Sequence, residues 1–328
     1  MGQVPGGGLS DKEIRETMEG VIRASGPWSG HNIFLTDTLS TIPGQDPIES
    51  LSLRRVVQTL SDIIPRPAEG LRVLDLACLE GLYGIEFALR GATVVGIEGR
   101  ERNLAKARFA QQALGLRNIE FVCDDVRKLS VERYGRFDVV LCLGILYHLD
   151  APDVFEFVER IESVCTQAAV FHTHVSTSPR IIREFRGRSY AGRSFLEHLP
   201  ASSQEEREKA VWGSISNPRS FWLTQPSLYN LLYDSGFTSV LESHVPYLPK
   251  QMRDHVTLVA LKGKRQRIRC VPGLNEIAEP RRPERDNRGV HPGQKWYYPI
   301  ARRWGRWVPG KAILKRLLGL EWHGRADK

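Results

Sequence analysis

Short apolar runs alternate with amphipathic stretches through the middle of the chain, the rhythm of an α/β protein. Val73, Leu74 and Leu76 form a run that suits a strand buried on both faces, and Gly81 and Gly84 break it where a helix begins. Apolar residues then fall at helical spacing over residues 85–89, Gly91 ends the helix, and residues 92–97 form a second strand closed by Glu98. The theme repeats at residues 119–129 (IEFVCDDVRKL), a strand followed by acids, and at residues 137–152 (FDVVLCLGILYHLDAP), a strand running into an aromatic-histidine turn. FHTHVS, residues 171–176, reads as a fifth strand. Upstream, residues 11–23 and 51–64 have helix spacing, with Ser10 as the cap of the first. No internal repeat breaks this order.

The first strand-turn-helix-strand unit carries chemistry. An acid about 20 residues past a glycine-bearing turn can accept hydrogen bonds from ribose hydroxyls, which makes Glu98 the ribose ligand. Asp75 closes the first strand, and Leu79 stands where a dinucleotide fingerprint has its first glycine. A carboxylate at that turn repels a pyrophosphate but suits a sulfonium and its ammonium group. An adenosyl-sulfur cofactor is therefore expected rather than NAD.

Taken together, the four segments resemble the ordered motifs of class I S-adenosylmethionine-dependent methyltransferases over roughly residues 50–261. The resemblance implies a Rossmann-like α/β fold with a central seven-stranded, mostly parallel sheet, N-terminal helices and a basic C-terminal tail. It implies cofactor contacts from Asp75, Ala77, Gly81, Glu98, Asp125 and Cys142: Asp125 meets the adenine amino group, and residues 142–144 supply backbone near the methionine. Ala77 and Leu79 stand where the family usually has glycines, which bears on close cofactor approach; an Ala is tolerated there if φ stays negative. LGILYHLDAP looks like the branch that holds tRNA wobble-uridine carboxymethyltransferases and many small-molecule or glycan O-methyltransferases. The expected reaction is in-line O-methylation of a small-molecule or glycan-type acceptor. A nucleic-acid modifier and a non-catalytic scaffold with a degenerate site are the alternatives.

Candidate acceptor-side residues are Tyr147, His148 and His174. His148 lies just past the fourth strand, where a base for a hydroxyl acceptor belongs. His172 and His174, two apart on a strand, share a face; no third ligand accompanies them at a recognisable spacing, so no metal is expected. His31 is assigned to packing. Residues 176–224 form an insertion on the acceptor side, whose Arg183, Arg186, Arg188 and Arg193 either hold an anionic substrate group or make surface ion pairs on a helical insert.

Charge changes the picture only when split along the chain. Residues 262–328 hold 18 Lys or Arg against 6 Asp or Glu, whereas residues 1–261 hold 28 against 32. A mildly acidic catalytic part argues against a phosphate-gripping face, which leaves nucleic acid the weaker partner. The domain reading is an N-terminal helical lid (1–49), a methyltransferase domain (50–263), a linker (264–294) rich in Arg, Pro and Glu that reads as extended or disordered, and a basic aromatic tail (295–328). Isoleucine and leucines of the tail fall on one helix face, opposite basic residues interleaved with tryptophans. That pattern suits docking on the protein or a second subunit, or peripheral contact with an anionic inner membrane surface. Five cysteines without a C-x-x-C pair read as reduced core thiols, and no signal peptide or membrane span is expected, consistent with a cytoplasmic protein.

Overall fold

The structure is a computed structural model of the 328-residue chain and describes residues 10–45, 51–246, 254–277, 281–284 and 287. The chain divides into two units, residues 1–288 and 289–328, and the first is described below. The basic aromatic tail of residues 295–328 lies outside the described residues.

A seven-stranded sheet forms the centre. Its strands are β1 (Arg72–Leu76), β2 (Thr93–Glu98), β3 (Ile119–Cys123), β4 (Phe137–Leu143), β5 (Cys165–His174), β9 (Ser239–Glu242) and β10 (His255–Leu261), in the spatial order β3-β2-β1-β4-β5-β10-β9. The pairs from β3 to β5 are parallel, and β10 enters antiparallel to β5 and β9. Parallel strands need crossovers, which the helices α3 (Leu82–Leu89), α4 (Glu101–Ala113) and α6 (Asp153–Val164) supply.

Strand alternation divides the core between two faces. Leu74, Leu76, Val140, Cys142 and Phe171 pack with α6 and α8 (Gln225–Ser235); Val73, Val139, Leu141 and Val170 pack with α2 (Leu51–Ile63), α3 and α4. Both faces are covered, so the central strands are apolar in nearly every position. In α6, Val154, Phe155, Phe157, Val158 and Ile161 are all buried, and each such side chain contributes about 1.5–3 kcal/mol through removal from water. The first helix, α1 (Asp11–Ser25), starts at a capping box in which Ser10 and Glu13 exchange hydrogen bonds.

Residues 176–224 fold as a three-stranded antiparallel sheet, β6 (Ile181–Phe185), β7 (Arg188–Leu196) and β8 (Arg219–Leu223), plus the short helix α7 (Gln204–Lys209). This corrects the reading of a helical insert: Tyr190 and Phe221 are buried against Phe155, and inward aromatics at that spacing serve strands. Of the two readings for the insertion's arginines, the ion pair holds for two of them, Arg186 with Glu159 at 2.9 Å and Arg188 with Asp234.

Within the expected linker, residues 281–284 and 287 are fastened to α8 rather than extended in solvent. Glu284 accepts from the hydroxyls of Thr224 and Ser227 at 3.0 and 2.7 Å, Asn230 exchanges hydrogen bonds with the Arg282 backbone, and Asn287 Oδ1 accepts from the Gln225 N–H at 3.4 Å. Polar partners on α8, which composition does not reveal, account for this order. All five cysteines are free, but Cys123 and Cys270 are exposed, so only Cys78, Cys142 and Cys165 are core thiols. Among the described residues no helix is long and apolar enough to cross a membrane.

Candidate functional site

The carboxyl ends of β1, β2 and β4 meet where the strand order reverses around β1, the place where open α/β sheets form a ligand crevice. The turn leaving β1 is held by the Cys78 N–H on the Ile97 carbonyl at 3.0 Å and by the Leu79 N–H on Glu98 Oε2 at 3.0 Å. To make this path Ala77 takes φ 52° and Leu79 φ 50°, both left-handed, next to Gly81 at 86°. The condition of a negative φ at Ala77 is not met: the backbone keeps the glycine path although the side chain is present. Strain of this kind persists only where the surroundings enforce it. Ala77→Gly is expected to raise unfolding stability by about 1 kcal/mol, read from the urea midpoint, because the strain relieved exceeds the added freedom of the unfolded chain.

The three carboxylates assigned from sequence, Asp75, Glu98 and Asp125, differ in what they still offer. Asp75 is 1 % exposed and accepts from the Gly84 N–H at 2.9 Å, so it orders the start of α3 from beneath the turn. Burial raises its carboxyl to about 7 against that hydrogen bond, and the nearby Glu98 charge adds to the rise. The folded chain then holds a proton that the unfolded chain has released above about pH 4. Stability falls as pH rises from about 4 to 7, and Asp75→Asn should remove that part of the slope in thermal melts across the window.

Glu98 closes β2 and is 4 % exposed. Its Oε1 accepts from the Arg100 N–H at 2.9 Å and from Asn103 Nδ2 at 3.4 Å, and its Oε2 from Leu79. Burial raises its pKa, and the hydrogen bonds and the Arg100 charge oppose the rise. A carboxylate has about four acceptor positions, so one remains for a ligand. Asp125 is more fully engaged, with both oxygens on the Arg127 guanidinium at 2.6–3.0 Å. The Cys142 side chain is buried in the core; the backbone beyond it turns at Gly144, φ 95°, whose N–H donates to the His172 carbonyl.

Two covers lie over this end. Glu80, wholly buried, accepts from the N–H groups of Ser29, Gly30 and His31 and from the Ser29 hydroxyl at 2.7–3.2 Å, and pairs with Lys106 Nζ at 3.0 Å. Lys106 also donates to the Pro27 carbonyl at 2.6 Å. Burial pushes the Glu80 carboxyl up, but these donors outweigh it and hold its pKa below the ordinary value. His31 accepts from the first N–H of α3, that of Leu82, at 3.2 Å, and burial lowers its pKa to about 4, so the neutral imidazole caps the helix. The second cover is residues 207–215 of the insertion, where the Arg100 guanidinium donates to the carbonyls of Arg207, Glu208, Ala210 and Gly213 at 2.9–3.3 Å. Trp212 stands against Gly30 and Ile215 against Gly99, so closely that a Cβ at either glycine would lie within 2.6 Å of them.

The three acceptor-side candidates come together. Tyr147 has ring centroids 4.2 Å from His148 and 4.6 Å from His174, and Trp222 stacks on His174 at 4.6 Å. A small cavity beside them is lined by Leu146, Tyr147, Thr173, His174 and Trp222. His148 Nδ1 lies 3.0 Å from Glu197 Oε2, and that carboxylate also accepts from the Ser220 hydroxyl at 2.7 Å and the Ser214 N–H at 3.3 Å. Burial raises the Glu197 pKa, but the bonds from His148, Ser220 and Ser214 outweigh it and hold the group ionised. An ionised carboxylate only accepts, so Nδ1 carries the hydrogen and Nε2 is the basic nitrogen of His148.

Sequence reasoning missed Glu80, Arg100, Glu197, Trp212 and Trp222. Glu80 alone had a local signal, a lone acid inside an apolar turn; Glu197, Trp212 and Trp222 belong to the insertion and Arg100, at the start of α4, takes its partners from it, and the sequence did not disclose the insertion's fold.

Residues 73–168 match the family described as methyltransferase domain. Among curated relatives, a ubiquinone biosynthesis O-methyltransferase of Acinetobacter baumannii (strain AYE) is 32% identical over 112 residues, 34% of this chain and 46% of the relative. One of the same name from Leptothrix cholodnii is 29% identical over 160 residues, 48% of this chain and 63% of the relative. The chain thus spans about half the length of the curated relatives it matches. Among solved structures, the N-terminal domain of EvdMO1 with SAH bound superposes with a TM-score of 0.61 at 24% identity, covering 79% of this chain and all of that one.

Proposed function

We propose that this chain, which has the class I methyltransferase fold and a methyltransferase domain at residues 73–168, is an S-adenosylmethionine-dependent enzyme that methylates oxygen on a small molecule. The observation that carries the reading is the His148–Glu197 pair, set at the carboxyl end of the sheet beside the Glu98 crevice. The residues fit an adenosyl-sulfur ligand. The turn of residues 77–81 follows a glycine path, and Glu98 keeps an acceptor position for a ribose hydroxyl. Asp125 would meet adenine only by sharing its oxygens with Arg127, and Asp75 acts by way of the turn, through the Gly84 N–H that it holds.

When bound, S-adenosylmethionine supplies an electrophilic methyl group to the acceptor. Glu197 fixes the tautomer and orientation of His148, and His148 Nε2 takes the proton of the acceptor hydroxyl as the oxygen becomes the nucleophile. Tyr147, His174 and Trp222 form an aromatic wall that suits a ring or sugar face, so the acceptor class is a small aromatic or glycan-type alcohol. Residues 27–31 and 207–215 shut water away from the reacting groups. Free thiols, two of them exposed, support a reducing compartment such as the cytoplasm. Glu98→Ala is expected to weaken S-adenosylhomocysteine binding by about 1.5–3 kcal/mol, the worth of a hydrogen bond to a charged group, with binding heats as the measurement. Unchanged affinity would remove Glu98 from the cofactor site.

A further inference from the structure

We propose that His174, Asp254 and His255 hold a divalent metal ion at the acceptor end of the site. The pairing of β5 with β10 sets His255 directly opposite His174, and Asp254, the residue before β10, brings its carboxylate to both rings. His174 Nδ1 lies 3.3 Å from Asp254 Oδ2 and His255 Nδ1 3.4 Å from Asp254 Oδ1, and the potential ligand atoms all fall within 4.8 Å of one another. Tetrahedral metal–N and metal–O bonds of about 2.0–2.1 Å separate their donors by about 3.3–3.4 Å; each imidazole stands at that spacing from a different oxygen of Asp254, and a small turn of the carboxylate brings one oxygen to both rings. The His174 and His255 ring centroids are 3.6 Å apart at 53°, so the two rings pack against each other beside Asp254. His172 stays out of the set, since its Nδ1 is engaged by the Thr257 hydroxyl at 2.9 Å.

Two imidazoles and one carboxylate are a donor set for a first-row divalent ion such as Zn²⁺, Fe²⁺ or Mn²⁺, and three protein ligands leave open positions. Trp222 stacks on His174, and its buried Nε1–H, which has no hydrogen-bond partner among the described residues, is a donor suited to an oxygen of the acceptor rather than to the ion. Tyr147 bridges His174 to His148, which places the ion beside the proposed base. In one respect the inference rests on the methyltransferase reading: the ion would take the acceptor hydroxyl at an open position and acidify it for His148.

The test uses the tag-free full chain, stripped with a chelator and titrated with Co²⁺, with visible ligand-field absorption as the readout and Zn²⁺ as competitor. One Co²⁺ per chain, displaced by Zn²⁺, is expected, with affinity falling more than about a hundredfold in Asp254→Asn and in His255→Ala. Absence of Co²⁺ absorption in the unaltered chain overturns the proposal, as does affinity within about threefold of it in both variants. Asp254 is 38 % exposed and Asn is nearly isosteric, so this variant should fold, and its far-ultraviolet circular dichroism is checked without metal. S-adenosylhomocysteine is titrated into the same samples. Loss of that binding with Co²⁺ binding intact would fell the methyltransferase reading and leave the metal site standing.

Discussion

His148→Ala is expected to lower kcat on an alcohol acceptor of the proposed class by about a hundred- to ten-thousandfold, the usual contribution of a positioned general base. Affinity for S-adenosylhomocysteine should stay within about twofold, because the proposed cofactor contacts are Glu98 and the 77–81 turn, not His148. Glu197→Gln tests whether the pair acts as a unit. An amide in place of the carboxylate can present its NH₂ to Nδ1, which favours the tautomer that puts the hydrogen on Nε2 and leaves no base toward the acceptor. The expected signature is a fall in kcat approaching that of His148→Ala, no change in cofactor affinity, and near-additive failure absent in the double variant, since the two residues serve one step. A kcat unchanged in His148→Ala would assign the histidine to loop structure, where Asn217 Nδ2 already donates to its carbonyl at 2.7 Å.

Glu80→Ala should be the most damaging single substitution for stability, at about 3–5 kcal/mol in denaturant unfolding. The change leaves the Lys106 ammonium buried, 3 % exposed at its side chain, without its carboxylate, and it orphans three backbone N–H groups at residues 29–31. Glu80→Gln keeps acceptor oxygen for part of that set and should cost clearly less. Lys106→Ala combined with Glu80→Ala should cost less than the sum of the two, since the second removal relieves the charge stranded by the first. Glu80→Ala should also loosen residues 27–31 and weaken cofactor binding beyond what stability explains, a coupling that native-state hydrogen exchange at residues 29–31 reports.

How much was legible in the sequence follows from how local each signal is. Strands β1 to β5 and their helices were readable because parallel strands covered on both faces must be apolar throughout, and glycines mark the turns between them. The Glu98 position was readable because strand, turn and helix lengths fix it about 20 residues beyond the turn. What the other carboxylates do was not, because their partners are backbone N–H groups and an arginine two residues away whose side-chain direction the sequence leaves open. The insertion was misread because REFRGRSYAGRSF carries arginines at intervals that suit a helix face as well as an antiparallel hairpin, and only the packing of Tyr190 and Phe221 on Phe155 decides between them. His148 was found by its place after β4, but Glu197 lies 49 residues away and no spacing rule connects them. For the same reason the His172 and His174 pair looked incomplete. Asp254 and His255 are supplied by a strand 80 residues later, and antiparallel register, not sequence spacing, sets them opposite.

The central claim is that the crevice between β1 and β2 takes an adenosyl-sulfur cofactor. Calorimetric titration of the full chain with S-adenosylmethionine, S-adenosylhomocysteine and NAD tests it without any known acceptor. Micromolar binding of the two sulfur ligands, with no heat from NAD, is the predicted result. No binding of either sulfur ligand to folded protein would contradict the account and leave a methyltransferase fold that serves as a scaffold.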